Sequence, residues 1–361
     1  MRGLVRLGLV TGALASSGLA SAPYHWDLPA GFPVPRVPAD NPMSAPRVTL
    51  GRHLFYDVRL SVNGTLSCAS CHHQEQAFSD SRSNPSGATG RLLRRNAMSL
   101  VNVAYSSALT WSRPDVQSLE KQVLIPLLSD DPPELGMAGR TMDLTERLRA
   151  DNSYQALFRE AFPGEGSPFT IANVAKAIAS FERTIISARS PYDRYRYGGQ
   201  GSAISDSAKR GEVLFFTDPG PACYRCHGGF NFSDAVDYVG RGPVPFPFHN
   251  NGLYNLPGML SYPPSNPGLY EFTRRPSDVG KFKTPTLRNV ALSAPYMHDG
   301  SISTLEAAIN HYAFGGQKNP NQDGRVRALS LTIQNRLDLR AFLASLTDEQ
   351  VTKDPRFKSP W

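Results

Sequence analysis

Apolar residues recur at helical spacing in two matched stretches of the chain. Val174, Ile178, Phe181 and Ile185 form one stripe, which predicts a helix near 171–186. Leu339, Phe342, Leu343 and Leu346 form the other, which predicts a helix near 333–346. Ahead of each lies a shorter apolar run: Gly51-Arg52-His53-Leu54-Phe55-Tyr56 and Gly211-Glu212-Val213-Leu214-Phe215-Phe216. Each reads as the end of a short helix. A further helix is predicted where Leu305, Ala308, Ile309 and Tyr312 share one face. Ser303-x-x-Glu306 offers it a capping box, and Gly315-Gly316 a stop. Strand patterning is scarce. The chain therefore carries a degenerate repeat, and the expected fold class is all-α with two similar domains. These are placed at 23–198 and 199–361, with a Gly- and Tyr-rich linker near 190–202. The stretch 240–276 is crowded with Pro, Gly and Asn, and its length predicts an ordered functional loop.

The same five-residue motif follows each leading helix. Cys68-Ala69-Ser70-Cys71-His72 and Cys223-Tyr224-Arg225-Cys226-His227 are both C-x-x-C-H, and together they use all four cysteines. No thiol remains for a separate nucleophile. A thioredoxin-like redox pair or half a zinc site also uses C-x-x-C. Neither needs the trailing histidine, and here it occurs twice. The spacing suits a c-type haem. Two thiols add to the two vinyl groups of one porphyrin, and the histidine that follows binds the iron from one face. Leading helix, motif, loops and closing helix then make each domain cytochrome c-like, with one covalently bound haem c.

The N-terminus points to export. Arg2 and Arg6 precede a short apolar run at 7–19 that ends in Ala20-Ser21-Ala22. Basic start, apolar middle and small-residue end make up a secretory signal peptide, expected over 1–22. A membrane anchor needs about 20 apolar residues, so a periplasmic protein with no membrane span is expected. The formal charge is +7, and it falls by two once Arg2 and Arg6 are removed. That mild basicity suits an acidic protein partner. Leu93-Arg94-Arg95-Asn96 is too short a basic run to suggest nucleic acid.

Several longer stretches resemble the bacterial di-haem cytochrome c peroxidase and MauG superfamily. They are the two haem motifs, Arg95-Asn96 with the later Trp111, and Lys283-Thr284-Pro285-Thr286-Leu287-Arg288-Asn289 followed by Ala294-Pro295-Tyr296-Met297-His298-Asp299-Gly300. Asp40-Asn41-Pro42-Met43-Ser44 and Leu109-Thr110-Trp111 are similar to its methanobactin-associated MbnH branch. The resemblance implies two unequal haems. The N-terminal one meets hydrogen peroxide. The C-terminal one is six-coordinate and stores or relays oxidising equivalents.

The resemblance also implies roles for single residues. His72 and His227 would be the proximal iron ligands. Simple peroxidases carry methionine at the position of Tyr312 and MauG-type enzymes carry tyrosine, so Tyr312 is the implied sixth ligand. Met297 and Met259 are the competing thioethers. A phenolate favours ferric and higher states, whereas a thioether favours ferrous iron. Many relatives hold a distal histidine between the first motif and the Arg-Asn pair. The span 74–95 contains none, and His73 directly follows His72, so an open peroxide site is implied. Gln122, Pro126 and Glu134 match distal-pocket positions, with Glu134 as general acid–base and Asp130 or Asp131 as nearby substitutes. Trp111 matches a tryptophan between the haems, where an indole divides one long electron transfer into shorter hops. The Asn96 side chain and the Ser293 and Pro295 carbonyls match the ligands of a calcium ion, which favours oxygen donors. One position departs from the pattern. The MauG surface tryptophan before the second motif is Pro221 here, and Tyr224 is the candidate substitute.

Three functions compete. The first is a peroxide-dependent oxidase that forms a high-valent di-haem state and oxidises a residue of a copper-binding periplasmic protein, tryptophan to kynurenine. The second is a di-haem cytochrome c peroxidase that detoxifies hydrogen peroxide with electrons from small c-type cytochromes or cupredoxins. Tyr312 and the missing distal histidine count against it. The third is an electron carrier, against which Gln122 and Glu134 count.

Overall fold

The computed structural model describes residues 24–244, 246–258 and 260–361. The expected signal peptide at 1–22 and Met259 lie outside the described residues. The fold is helical. The first half contains α1 (Ala45–Phe55), α2 (Leu119–Leu128), α3 (Thr141–Arg149), α4 (Asn152–Ala161) and α5 (Ile171–Glu182). The second contains α6 (Pro191–Arg196), α7 (Asp206–Phe216), α8 (Tyr270–Thr273), α9 (Leu305–Ala313) and α10 (Ile333–Ala344). Two short strands, β1 (Phe248–His249) and β2 (Phe282–Lys283), pair antiparallel with Phe248 opposite Lys283.

The repeat has a packing cause. α1 crosses α5 so closely that a Cβ on Gly51 would lie 1.9 Å from the Ala177 carbonyl oxygen. α7 crosses α10 in the same way, and a Cβ on Gly211 would lie 2.0 Å from the Asp338 carbonyl oxygen. Only glycine lets two backbones meet at this distance. Each crossing anchors its own core. Leu54, Phe55, Phe78, Phe158 and Phe181 belong to the first, and Phe215, Phe232, Phe342 and Leu343 to the second.

Several boundaries differ from the sequence expectation. α5 stops at Glu182 rather than near 186, because Thr184 Oγ1 donates to the Phe181 carbonyl at 2.6 Å and tightens the last turn. Ile185 is still fully buried, but from the loop beyond the helix. α10 ends at Ala344, where Ser345 Oγ likewise donates to the Phe342 carbonyl at 2.6 Å. α9 is capped by Thr304, not Ser303. The Thr304 hydroxyl accepts the Ala307 N–H at 3.1 Å, so Glu306 sits in the first turn without closing a capping box. The stretch around 190–202 opens with a helix. Ser190 and Asp193 form a capping box at the start of α6, and Tyr192 joins the second core.

The long loop is ordered by buried polar groups. The Tyr262 hydroxyl donates to Asn250 Oδ1 at 3.0 Å and accepts the Leu253 N–H at 3.1 Å. The chain then ends on the opposite half. Val351 and Phe357 enter the first core, and Gln74 Nε2 donates to the Val351 and Asp354 carbonyls at 3.0 and 2.9 Å.

One buried ion pair ties α6 to the second motif. The Arg288 guanidinium is fully buried, meets Asp193 through two bonds of 2.9 Å, and donates from Nε to the Phe230 carbonyl at 2.7 Å. Removing one partner of such a pair strands the other charge. Arg288→Ala is therefore expected to cost about 3–5 kcal/mol, read as a lower midpoint in denaturant unfolding. A loss below about 1 kcal/mol would mean that the pair behaves like an exposed one.

Candidate functional site

The two C-x-x-C-H motifs fold into the same local turn. Each begins with one turn of 3-10 helix, Cys68–Ser70 and Cys223–Arg225. The His72 N–H then donates to the Cys68 carbonyl at 3.0 Å, and the His227 N–H to the Cys223 carbonyl at 2.8 Å. These contacts are local, so the pentapeptides themselves bring both thiols and the imidazole together. The next few residues orient the ring. His72 Nδ1 donates to the Phe78 carbonyl at 2.9 Å, and His227 Nδ1 to the Phe232 carbonyl at 3.2 Å. Both phenylalanines have positive φ, 57° and 49°, which turns their carbonyls back toward the ring. Burial holds both imidazoles below the usual histidine range. Each is thus neutral, with Nδ1 engaged by the main chain and Nε2 the ring nitrogen left to serve as a metal ligand.

Both turns open into one cavity of about 670 Å³. On the His72 side its wall includes Gln122, Pro126 and Glu134. Gln122 and Pro126 stand four residues apart on α2, hence on one face. Burial raises the Glu134 carboxyl to about 7. Asp130 is exposed and outside the wall, and Asp131 is held by Arg91 and Arg94 at 3.0 and 2.8 Å. Neither substitutes well for Glu134. On the His227 side the wall includes Tyr312 from α9 and Met297. One amide serves both: Asn251 Nδ2 donates to the Tyr312 oxygen at 3.3 Å and approaches Met297 Sδ at 3.2 Å. Burial raises the Tyr312 pKa, and the Asn251 bond opposes that rise. Sequence reasoning passed over Asn251. Its only signal was the Asn-rich loop that carries it.

Trp111 and Asn96 both line this cavity. Trp111 Nε1 donates to the Asn96 carbonyl at 2.8 Å, and the Trp111 carbonyl accepts the Lys283 N–H at 2.8 Å. The Asn96 amide group lies 3.4 Å from the Pro295 carbonyl oxygen, and Ser293 lines the same cavity. The amide is oriented with its nitrogen toward Pro295. A cation there requires the flipped amide, with Oδ1 turned inward. Pro221 borders the cavity, and Tyr224 lies outside its wall with its ring 5.9 Å from Phe216.

The profile of the di-haem cytochrome c peroxidase family matches residues 45–201. The methylamine utilization protein MauG of Methylorubrum extorquens is 35% identical over 343 residues, which cover 94% of this chain and 88% of that protein. The chain belongs to the di-haem cytochrome c peroxidase and MauG family. The cytochrome c551 peroxidase of Pseudomonas aeruginosa is 31% identical over 268 residues, covering 74% of this chain and 72% of that protein. A crystal structure of a MauG-like protein associated with microbial copper homeostasis matches with a TM-score of 0.90 and 43% identity, covering 94% of this chain and 99% of that one.

As a member of this family the protein is a haem-dependent oxidoreductase. The residues present fit a haem on each side of the cavity. Each side offers two thiols and one neutral imidazole whose Nδ1 is already engaged, and the cavity between them is partly apolar and joins the two turns. Among the described residues no helix is long and apolar enough to cross a membrane.

Proposed function

We propose that this member of the MauG family is a periplasmic oxidase that uses hydrogen peroxide to oxidise a tryptophan of a copper-binding partner protein. Each peroxide takes two electrons and two protons and leaves as two waters. Two turnovers, with water supplying both oxygen atoms, open the indole C2–C3 bond to N-formylkynurenine, and hydrolysis releases C2 as formate to leave kynurenine. Two covalent haem c groups would supply the reaction with peroxide and the storage of oxidising equivalents. Cys68 and Cys71 with His72 would hold one, and Cys223 and Cys226 with His227 the other. Tyr312 would fill the sixth position of the second. Asn96, Ser293 and Pro295 would hold calcium between them.

The chain's own groups divide the remaining work. Glu134 accepts a proton from peroxide and returns it to the departing oxygen. Gln122 presents an amide to the bound peroxide, and Pro126 narrows the same face of α2. Trp111 relays electrons between the two sides. The Asn251 N–H favours the phenolate form of Tyr312. One observation carries the peroxide chemistry: the buried Glu134 carboxyl, raised to about 7, lines the cavity that also holds Tyr312. An electron carrier has no use for such a carboxyl. The copper-binding partner is supported by the 43% identical MauG-like protein associated with copper homeostasis.

A second reading keeps one specific support. Met297 Sδ lies as close to Asn251 as the Tyr312 oxygen does. A thioether ligand would suit a detoxifying peroxidase fed by small cytochromes or cupredoxins. The test is peroxide with the purified protein and candidate copper-binding proteins, followed by peptide mass spectrometry. The expected result is a single tryptophan converted to kynurenine, dependent on both peroxide and enzyme. Rapid peroxide consumption with a reduced cytochrome, and no change in any partner, would establish the second reading instead.

A further inference from the structure

Three cations are buried among the described residues: Arg183, Arg288 and Lys283. Arg183 faces Glu120 at 2.6 Å and Arg288 faces Asp193 at 2.9 Å. The Lys283 ammonium has no hydrogen-bond or ion-pair partner among the described residues, although the residue is only 8% exposed. It lines the cavity shared by the two C-x-x-C-H turns. An unpaired buried charge is strongly unfavourable, so natural proteins pair it or neutralise it. Burial alone pulls the Lys283 pKa down to about 8, with no carboxylate opposing the shift.

The carboxylates of the cavity wall do not fill the gap. Glu271 pairs with Arg95 at 2.6 Å, and Asp323 accepts from His249 at 3.0 Å and from Arg325 at 2.6 Å. Asp131 is held by two arginines. Glu134, lifted to about 7, exerts no resolved pull on Lys283. Among the described residues none of these carboxylates pairs with the Lys283 ammonium. The position of Lys283 says to which side of the cavity it belongs. β2 pairs with β1, whose His249 lies within 4.8 Å of Cys226. Two residues after Lys283, Pro285 lines the cavity together with His227, Cys223 and Cys226.

We propose that Lys283 is the counter-ion of a propionate carboxylate on the haem held by His227. The inference rests on the two-haem reading above. The Lys283 backbone N–H already donates to the Trp111 carbonyl at 2.8 Å. One residue thus fixes both the porphyrin edge and the main chain of the proposed relay. Lys283 is a positioning residue, and it acts through charge as well. A cation beside a haem favours the less positive ferrous state and raises the potential.

Spectroelectrochemical titration of the holoprotein and of Lys283→Met and Lys283→Arg tests this. Lys283→Met is expected to shift the ferric/ferrous equilibrium of the His227 haem at least tenfold toward ferric, a drop of about 59 mV for one electron. The His72 haem should move less, and Lys283→Arg should recover most of the loss. Unchanged potentials, or a shift confined to the His72 haem, would overturn the proposal. If neither variant accumulates, a crystal structure of the wild-type holoprotein decides. A propionate oxygen within about 2.7–2.9 Å of Nζ supports the pairing, and propionates beyond hydrogen-bond reach exclude it. A haem count below two per wild-type chain would instead remove the two-haem reading.

Discussion

Glu134→Gln is expected to slow the reaction with hydrogen peroxide by about 10²–10⁴-fold, the usual worth of a positioned general acid–base. Glutamine keeps the size and polarity of the side chain but cannot take or return a proton. The pH profile should change as well. Burial raises the wild-type carboxyl to about 7. The ionised form accepts the peroxide proton, so the wild-type rate should climb with pH through about 7 and then level off. A carboxyl at its ordinary value would already be ionised there and would give no such limb. In Glu134→Gln the limb should vanish while the haem spectra stay intact. Stopped-flow mixing with peroxide from pH 5.5 to 8.5, in roughly half-unit steps around that value, measures both effects. A loss under about tenfold, or a limb that survives the substitution, would move the proton transfer to another group.

Tyr312→Phe is expected to abolish the low-spin signal of the second haem. The wild-type ferric protein should show one high-spin and one low-spin haem by low-temperature electron paramagnetic resonance. The first follows from the missing distal histidine in 74–95, the second from the sixth ligand proposed for the His227 side. Phenylalanine keeps the ring in the wall of the cavity and removes only the oxygen. Cys223, Cys226 and His227 are untouched, so the haem should remain attached. Partner oxidation should fall with the lost ligand, because a phenolate stabilises ferric and higher states. An unchanged low-spin signal would give the sixth position to Met297, whose sulfur lies 3.2 Å from the same Asn251 amide. Met297→Leu would then be the variant that loses it.

Much of this was legible from residue order. The helix stripes of α5 and α10 appear where Val174, Ile178 and Phe181, and Leu339, Phe342 and Leu343, predict them. Their ends were misjudged by a few residues. Short hydroxyl bonds from Thr184 and Ser345 stop the helices there, and apolar periodicity does not register them. The cap of α9 was misplaced by one residue for a similar reason, since Ser303 and Thr304 are both able to cap. The match of Gly51 to Gly211 was visible as a repeat. Its cause, two backbones in contact, was not.

The sequence by itself determined the two C-x-x-C-H turns, because their bonds close over four residues and need no distant partner. It also determined the helical class, the pair of similar halves and the family, since local periodicity and contiguous motifs carry each of these. Tertiary structure decided what surrounds the motifs. Asn251 reaches Tyr312 across 61 residues of sequence, and Gln74 bonds the C-terminal segment across 277. It also decided the charges. Glu134 is raised to about 7 and Lys283 lowered to about 8 by burial alone. Burial is set by chain that folds over a residue from far away, so the same Glu and Lys in the bare sequence carry no sign of it.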